Sequence, residues 1–395
     1  MGEPMEENSL VINTGLRGIT IASTRISDVD GKAGRLIYRG YLIQDLADSA
    51  VFEEVVHLLL HETLPKKDQL ELLKELLAQN RSIPSRMIDA LKTFPKHSRP
   101  MDVLQSAVSM MAAYDPDIGD PSREAAHRMA IRIIAKLPTI VAAWGRIRKE
   151  QAPVEPDVRL GHSANFLYML KGVPPDHQVA RFFDICLVLH AEHSFNASTF
   201  AAREVASTRA HMYASLSAAV GSLSGELHGG ANERVMEMLL KIGSIDAVEP
   251  YVDRILDSGE KIMGLGHAVY ETDDPRASII APLSKIMGER TGESRWYDIS
   301  KRLEKTGKAA FLKRKGREIY VNVDFYSASL YYAMGIPVDL FTPVFAISRV
   351  AGWCAHIIEE HFGDVTKPVL YRPESEYVGS YCGPAECAYV PIENR

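Results

Sequence analysis

Two periodicities divide the chain. Residues 10–40, "SLVINTGLRGITIASTRISDVDGKAGRLIYRG" from Ser9, place β-branched residues between turn signals. They predict two or three short strands, with turns near Gly15 and Asp30-Gly31. From Ile43 onward apolar residues recur at helical spacing. The pattern predicts helices over 52–61, 68–79, 102–114, 123–149, 178–192, 199–222, 233–242, 246–258, 296–306 and 342–361. Pro and Gly mark most of the joints. The fold class is mostly α with a small N-terminal β segment. The Ala/Ser-rich run at 199–222, "TFAAREVASTRAHMYASLSAAVGS", reads as one helix able to approach a neighbour closely. That neighbour is either in the same subunit or its copy in a dimer.

Composition narrows the class. The 395 residues allow one large or two ordinary domains, with ample apolar material for a core. A net charge of −6 argues against a nucleic-acid-binding surface. Four cysteines (Cys186, Cys354, Cys382, Cys387) form no disulfide framework and fit a reducing cytoplasm. The N-terminus "MGEPMEENSL" carries no secretory signal, and Glu6 breaks the myristoylation pattern. No run of eighteen apolar residues exists, so no membrane span is expected. The basic run 301–317, "KRLEKTGKAAFLKRKGR", reads as a solvated face or as a surface for an anionic ligand such as a phosphate.

Several side chains could carry chemistry. His57 and His61, and likewise His190 and His193, have the spacing of metal ligands, but neither pair has further ligands to close a site. No metal is expected. His228 in "ELHGGAN" and His267 in "GLGHAVY" are each flanked by glycine, which lets another group come close. Their ordinary alternative is to fill a helix junction. Asp324 in "YVNVDFYSASLYYAMG" is either a helix cap or a carboxylate raised in pKa by apolar neighbours, which suits a base. Arg349 would sit on an apolar helix stripe with Phe345, Ala346, Gly352 and Trp353. A guanidinium there is costly unless an anion meets it. Arg276 in "DDPRAS" and Arg372 in "YRPESEYVG", taken alone, read as surface arginines.

Together these stretches resemble the citrate synthases, particularly the shorter bacterial and archaeal type that includes 2-methylcitrate synthases. The resemblance rests on "GLRGITIASTRISDVDGKAGRLIYRGYLIQDLA", "LHAEHSFNASTFAAREVAST", "GELHGGANERVMEML", "KIMGLGHAVYETDDPRA", "VNVDFYSASLYYAMGIP", "LFTPVFAISRVAGWCAHIIEE" and "RPESEYVG". It implies a helical homodimer with a large domain, 1–229 plus 336–395, and a small domain, 230–335, closing over a cleft. It implies condensation of acetyl-CoA with oxaloacetate, then thioester hydrolysis to citrate and CoA. Propionyl-CoA in a 2-methylcitrate synthase is the nearest alternative; a non-catalytic, metabolite-binding helical dimer is a remote one.

The same resemblance places His228, His267 and Asp324 on the catalytic positions. His193, Arg276 and Arg349 fall on substrate-binding positions. Arg372 falls on an arginine that reaches the partner subunit's site. Lys261, Ile262, Met263, Gly264 and Leu265 fall on the segment that contacts coenzyme A. No permanently bound cofactor is implied; the acyl-CoA is a co-substrate. The glycines around His228 would let the thioester approach. The sequence departs from the family at Ser194, Ala268, Glu271, Val321, Glu374 and the "TRAH" of 208–211. None is in the catalytic set. Ala268 and Glu271 remove positive charge from the expected CoA path, which the basic run at 301–317 could replace.

Overall fold

The computed structural model describes residues 14–16, 18–267, 269–364, 368–379 and 389–395. The start of the expected β segment, Ala268, Cys382 and Cys387 lie outside them. A short antiparallel sheet leads, with β1 (Ser27–Asp30), β2 (Arg35–Tyr38) and β3 (Tyr41–Leu42) in that order. Asp30 faces Arg35 across the first turn. The expected turn at Asp30-Gly31 is present. Before it, residues 18–26 carry no strand and Gly15 lies in a single 3-10 turn, while the part of the expected β segment before residue 14 lies outside the described residues.

Sixteen α-helices follow among the described residues. The predicted spans match α2 (Phe52–His61), α3 (Lys67–Gln79), α5 (Pro100–Met111), α6 (Arg123–Ile147) and α8 (His177–His190) to within a few residues. Helix α1 (Ile43–Ser49) precedes them, and α4 (Ser85–Thr93) and α7 (His162–Lys171) fill gaps between them.

The single helix expected over 199–222 is two, α9 (Ala197–Ser207) and α10 (Met212–Leu223), packed on each other. Arg209 takes a left-handed backbone, φ 67°, which ends one helix. The His211 side chain then accepts the Ala214 amide and caps the next. Small residues let the two approach closely within one chain.

The core is built on α16 (Phe341–Phe362), which packs on α2, α6, α8, α9 and α10. Residues 338–362 are long and apolar enough to cross a membrane, but 94% of the most apolar eighteen-residue window within them is buried in the protein. Its apolar surface is therefore matched internally. Cys186 and Cys354 are buried free thiols.

A second group of helices packs chiefly on itself: α11 (Ala231–Ile242), α12 (Val248–Asp257), α13 (Pro275–Thr291), α14 (Ser294–Lys315) and α15 (Asp324–Ala333). Helix α14 extends well beyond the predicted 296–306. It ends where Gly316 turns left-handed. Half of the basic run is paired: Arg302 with Glu249, Arg314 with Asp253 and Asp257, Lys308 with Asp273, Lys301 with Glu304. That stretch is in part a salt-bridged face.

Candidate active site

A cleft of about 1,210 Å³ opens between the two helix groups, and His193, His228, His267, Arg276, Asp324 and Arg349 all line it. These residues come from the α8–α9 loop, the α10–α11 turn, the loop before α13, and the helices α13, α15 and α16. That volume exceeds an ordinary small-ligand pocket.

The two glycine-flanked histidines are held in opposite tautomers. In His228, Nε2 accepts the Ser198 amide at 3.1 Å. An amide can only donate, so the ring proton is on Nδ1. The Ser198 hydroxyl lies 2.8 Å from the same nitrogen and also receives the Trp353 indole N–H. In His267 the roles are reversed: Nδ1 accepts the amides of Val269 (2.9 Å) and Tyr270 (3.0 Å), which leaves the proton on Nε2. Burial pushes both pKa values down to about 4, helped by Arg349 beside His228 and by Arg276 beside His267. Both rings are neutral donors at pH 7.

The glycines after His228 have an internal cause. A Cβ on Gly229 would lie 1.7 Å from the Leu223 carbonyl oxygen, and Gly230 starts α11 with φ 72°. The tight turn itself requires them, so the expected role of admitting a thioester is not needed to explain them.

Asp324 is the first residue of α15, and its amide donates to the Asn322 side chain. It does not cap the helix. Burial raises its carboxyl pKa to about 6, against the pull of Arg276 and Arg349. His193 is buried, with Nε2 3.3 Å from the Tyr270 hydroxyl and its ring 5.5 Å from that of His267. Burial, then Arg276 and Arg349, keeps it neutral.

The arginines differ. Arg349 is buried, donates to the His190 carbonyl at 2.7 Å and lies over the Phe345 ring. It makes no ion pair among the described residues. The nearby Glu192 turns instead to His356 (3.0 Å) and Ser27 (2.9 Å). Burial pulls the guanidinium pKa down to about 10. Arg276 is not a surface arginine. It is buried and held by both oxygens of Asp274, at 3.0 and 2.7 Å. Asp274 caps α13 immediately before Pro275. An Asp-Pro helix start with Arg two residues on is the signal in "DDPRAS". Arg372 is exposed in an extended segment and does not line the cleft. The preceding Tyr371 is tied down by Ser207 and Glu360.

Of the residues expected at coenzyme A, Lys261 lines the cleft, Ile262 and Leu265 are buried, and Met263 is half-buried. Gly264, with φ 79°, packs so tightly that a Cβ would meet Phe325 at 2.7 Å. Leu265 bridges to Val321, and Gly266 donates to the Tyr320 carbonyl. Arg317 also lines the cleft and is the basic-run residue that does so. His61 lies between two other imidazoles, tilted against His57 at 4.6 Å and stacked on His127 at 5.0 Å between ring centres. No group of three or more side chains able to hold a metal occurs among the described residues. Sequence reasoning missed Ser198, which meets His228 from thirty residues away, and Asp274 and Asn322, which act on residues two positions on once α13 and α15 are known to start there.

Comparison with known proteins identifies the family. A family model described as the C-terminal domain of citrate synthase matches residues 15–374. The chain is 42% identical to a citrate synthase of Haloferax volcanii, over 97% of this chain and 99% of that protein. It superposes on the crystal structure of citrate synthase from Pyrobaculum aerophilum with TM-score 0.89 and 36% identity, covering 100% of both chains. A citrate synthase from Thermoplasma acidophilum, in a ternary complex with carboxymethyl coenzyme A and oxaloacetate, matches with TM-score 0.88 and 32% identity, covering 96% of this chain and 98% of that one. The chain belongs to the citrate synthase family and is an acyltransferase of that type.

Proposed function

We propose that Asp324, His228 and His267 run the citrate synthase reaction of this chain, joining acetyl-CoA to oxaloacetate and hydrolysing the thioester to citrate and CoA. The observation that carries this is that two neutral imidazoles of opposite tautomer and a carboxylate of raised pKa line one cleft. Asp324 takes a proton from the acetyl methyl group while the Nδ1–H of His228 donates to the developing enolate oxygen. The enolate carbon attacks the oxaloacetate ketone, whose oxygen accepts from the Nε2–H of His267. Water then cleaves the thioester and CoA leaves as the thiol.

Arg349, with no acid paired to it among the described residues, is the first receptor for an oxaloacetate carboxylate. Arg276, already paired with Asp274, and the partner subunit's Arg372 complete the set together with His193. Lys261 and Arg317 are the cations for the CoA phosphates, beside the backbone of 262–265. Residues 230–335 form the small domain. Its closure on the large domain excludes water until the carbon–carbon bond has formed.

The test is release of CoA from acetyl-CoA with oxaloacetate, compared with propionyl-CoA by kcat/KM. One methylene changes selectivity by about 1–3 kcal/mol, so the ratio decides between citrate and 2-methylcitrate as product. No CoA release from either would leave a non-catalytic binding protein. Asp324 must be ionised to act, so kcat/KM should fall as pH falls through about 6, with a slope of one proton. A flat profile between about pH 5 and 8 would remove Asp324 as the base.

A further inference from the structure

The β1–β2 hairpin lies more than two hundred residues from His267 in sequence, yet its tip grips the loop that follows that histidine. The tip is stiff, because one Asp30 carboxylate oxygen accepts the amides of both Lys32 (3.1 Å) and Ala33 (2.9 Å). The Gly31 carbonyl accepts the amide of Glu271 at 2.9 Å. The Cα of Gly31 sits so close to the loop that a Cβ there would lie 2.1 Å from the Val269 carbonyl oxygen. Further along each segment, a Cβ on Gly34 would meet Thr272 at 2.6 Å. The hairpin thus holds the loop at 269, 271 and 272. Within this gripped stretch lie the amides of Val269 and Tyr270, which donate to Nδ1 of His267.

We infer that the hairpin tip, through Gly31, is a positioning element for His267: it holds the 269–272 backbone so that two amides occupy Nδ1 and the Nε2–H faces the substrate. This rests on the role proposed above for His267. Gly31 touches neither substrate nor the reacting atoms; it acts through the loop. The groups facing His267 are His193 and Tyr270, whose rings are 5.5 and 4.6 Å away, Asp274 at 4.0 Å, and Arg276. If the loop is pushed outward, Nδ1 loses its amide donors and becomes a proton acceptor.

Gly31→Ala is a clean probe, because Gly31 does not occupy the left-handed region and alanine fits its backbone. We expect kcat to fall about tenfold or more, as for loss of an aligned polarising group. KM for acetyl-CoA should change less than about threefold. The acid limb of kcat/KM should steepen from a one-proton towards a two-proton slope, as His267 joins Asp324 in titrating. A general loss of stability would not change that slope. Gly119→Ala, where a Cβ meets nothing, should behave as wild type; an equal loss there would overturn the inference. If Gly31→Ala does not fold, Asp30→Ala decides. It adds no atoms, frees the tip, and should steepen the same limb; an unchanged limb overturns the inference. His267→Gln separates the two layers. Wild-type turnover in His267→Gln removes the role of His267 itself. An inactive His267→Gln beside a Gly31→Ala of wild-type kcat and slope removes only the hairpin's part.

Discussion

Asp324→Asn is expected to lower kcat about a thousandfold, with the fold intact. Asparagine keeps the shape of the side chain and loses the one property the reaction needs, an oxygen that can take a proton. The backbone should not notice. The amide of residue 324 is held by Asn322, not by the Asp324 carboxylate, and no other hydrogen bond of that carboxylate supports α15 among the described residues. Burial already disfavours the ionised form, so removing it should leave Tm unchanged or slightly higher. The measurement is CoA release at saturating substrates, with thermal unfolding monitored in parallel. A kcat within tenfold of wild type would mean that another group removes the proton.

Arg349→Met is expected to move binding and stability in opposite directions. The variant keeps most of the buried stem and loses the charge. A charge-assisted hydrogen bond to a carboxylate contributes about 1.5–3 kcal/mol, so KM for oxaloacetate should rise roughly 10- to 150-fold. Tm should rise, because a buried cation that makes no ion pair among the described residues is removed. The Arg349 charge also helps to depress the pKa of His228, which should move up towards the ordinary histidine value. Lower Tm with unchanged KM would make Arg349 a structural cation and leave the first oxaloacetate carboxylate without its receptor.

Local chemistry makes much of this protein legible in its sequence. Helical spacing locates most of the large helices, and the mismatch between Arg349 and its apolar stripe is enough to indicate a buried guanidinium. The break between α9 and α10 is hidden because Ala and Ser keep a helical pattern across residues that turn. Arg276 reads as exposed because its partner, Asp274, matters only once α13 is known to start there. The tautomers of His228 and His267 have no sequence signal. They depend on amides of Ser198, Val269 and Tyr270, and an amide has the same chemistry whatever its side chain. The family resemblance names the expected site residues; the fold places seven of them, Lys261 included, around one cavity and Arg372 apart from it.

The proton on each imidazole follows from the path of the chain. Side chains on those loops are therefore free to drift, and departures such as Ser194 and Glu271 can accumulate without reversing which ring nitrogen donates. An engineer who wished to exchange the duties of the two rings would have to reroute loops, since no single replacement of a neighbour moves a peptide N–H from one ring nitrogen to the other.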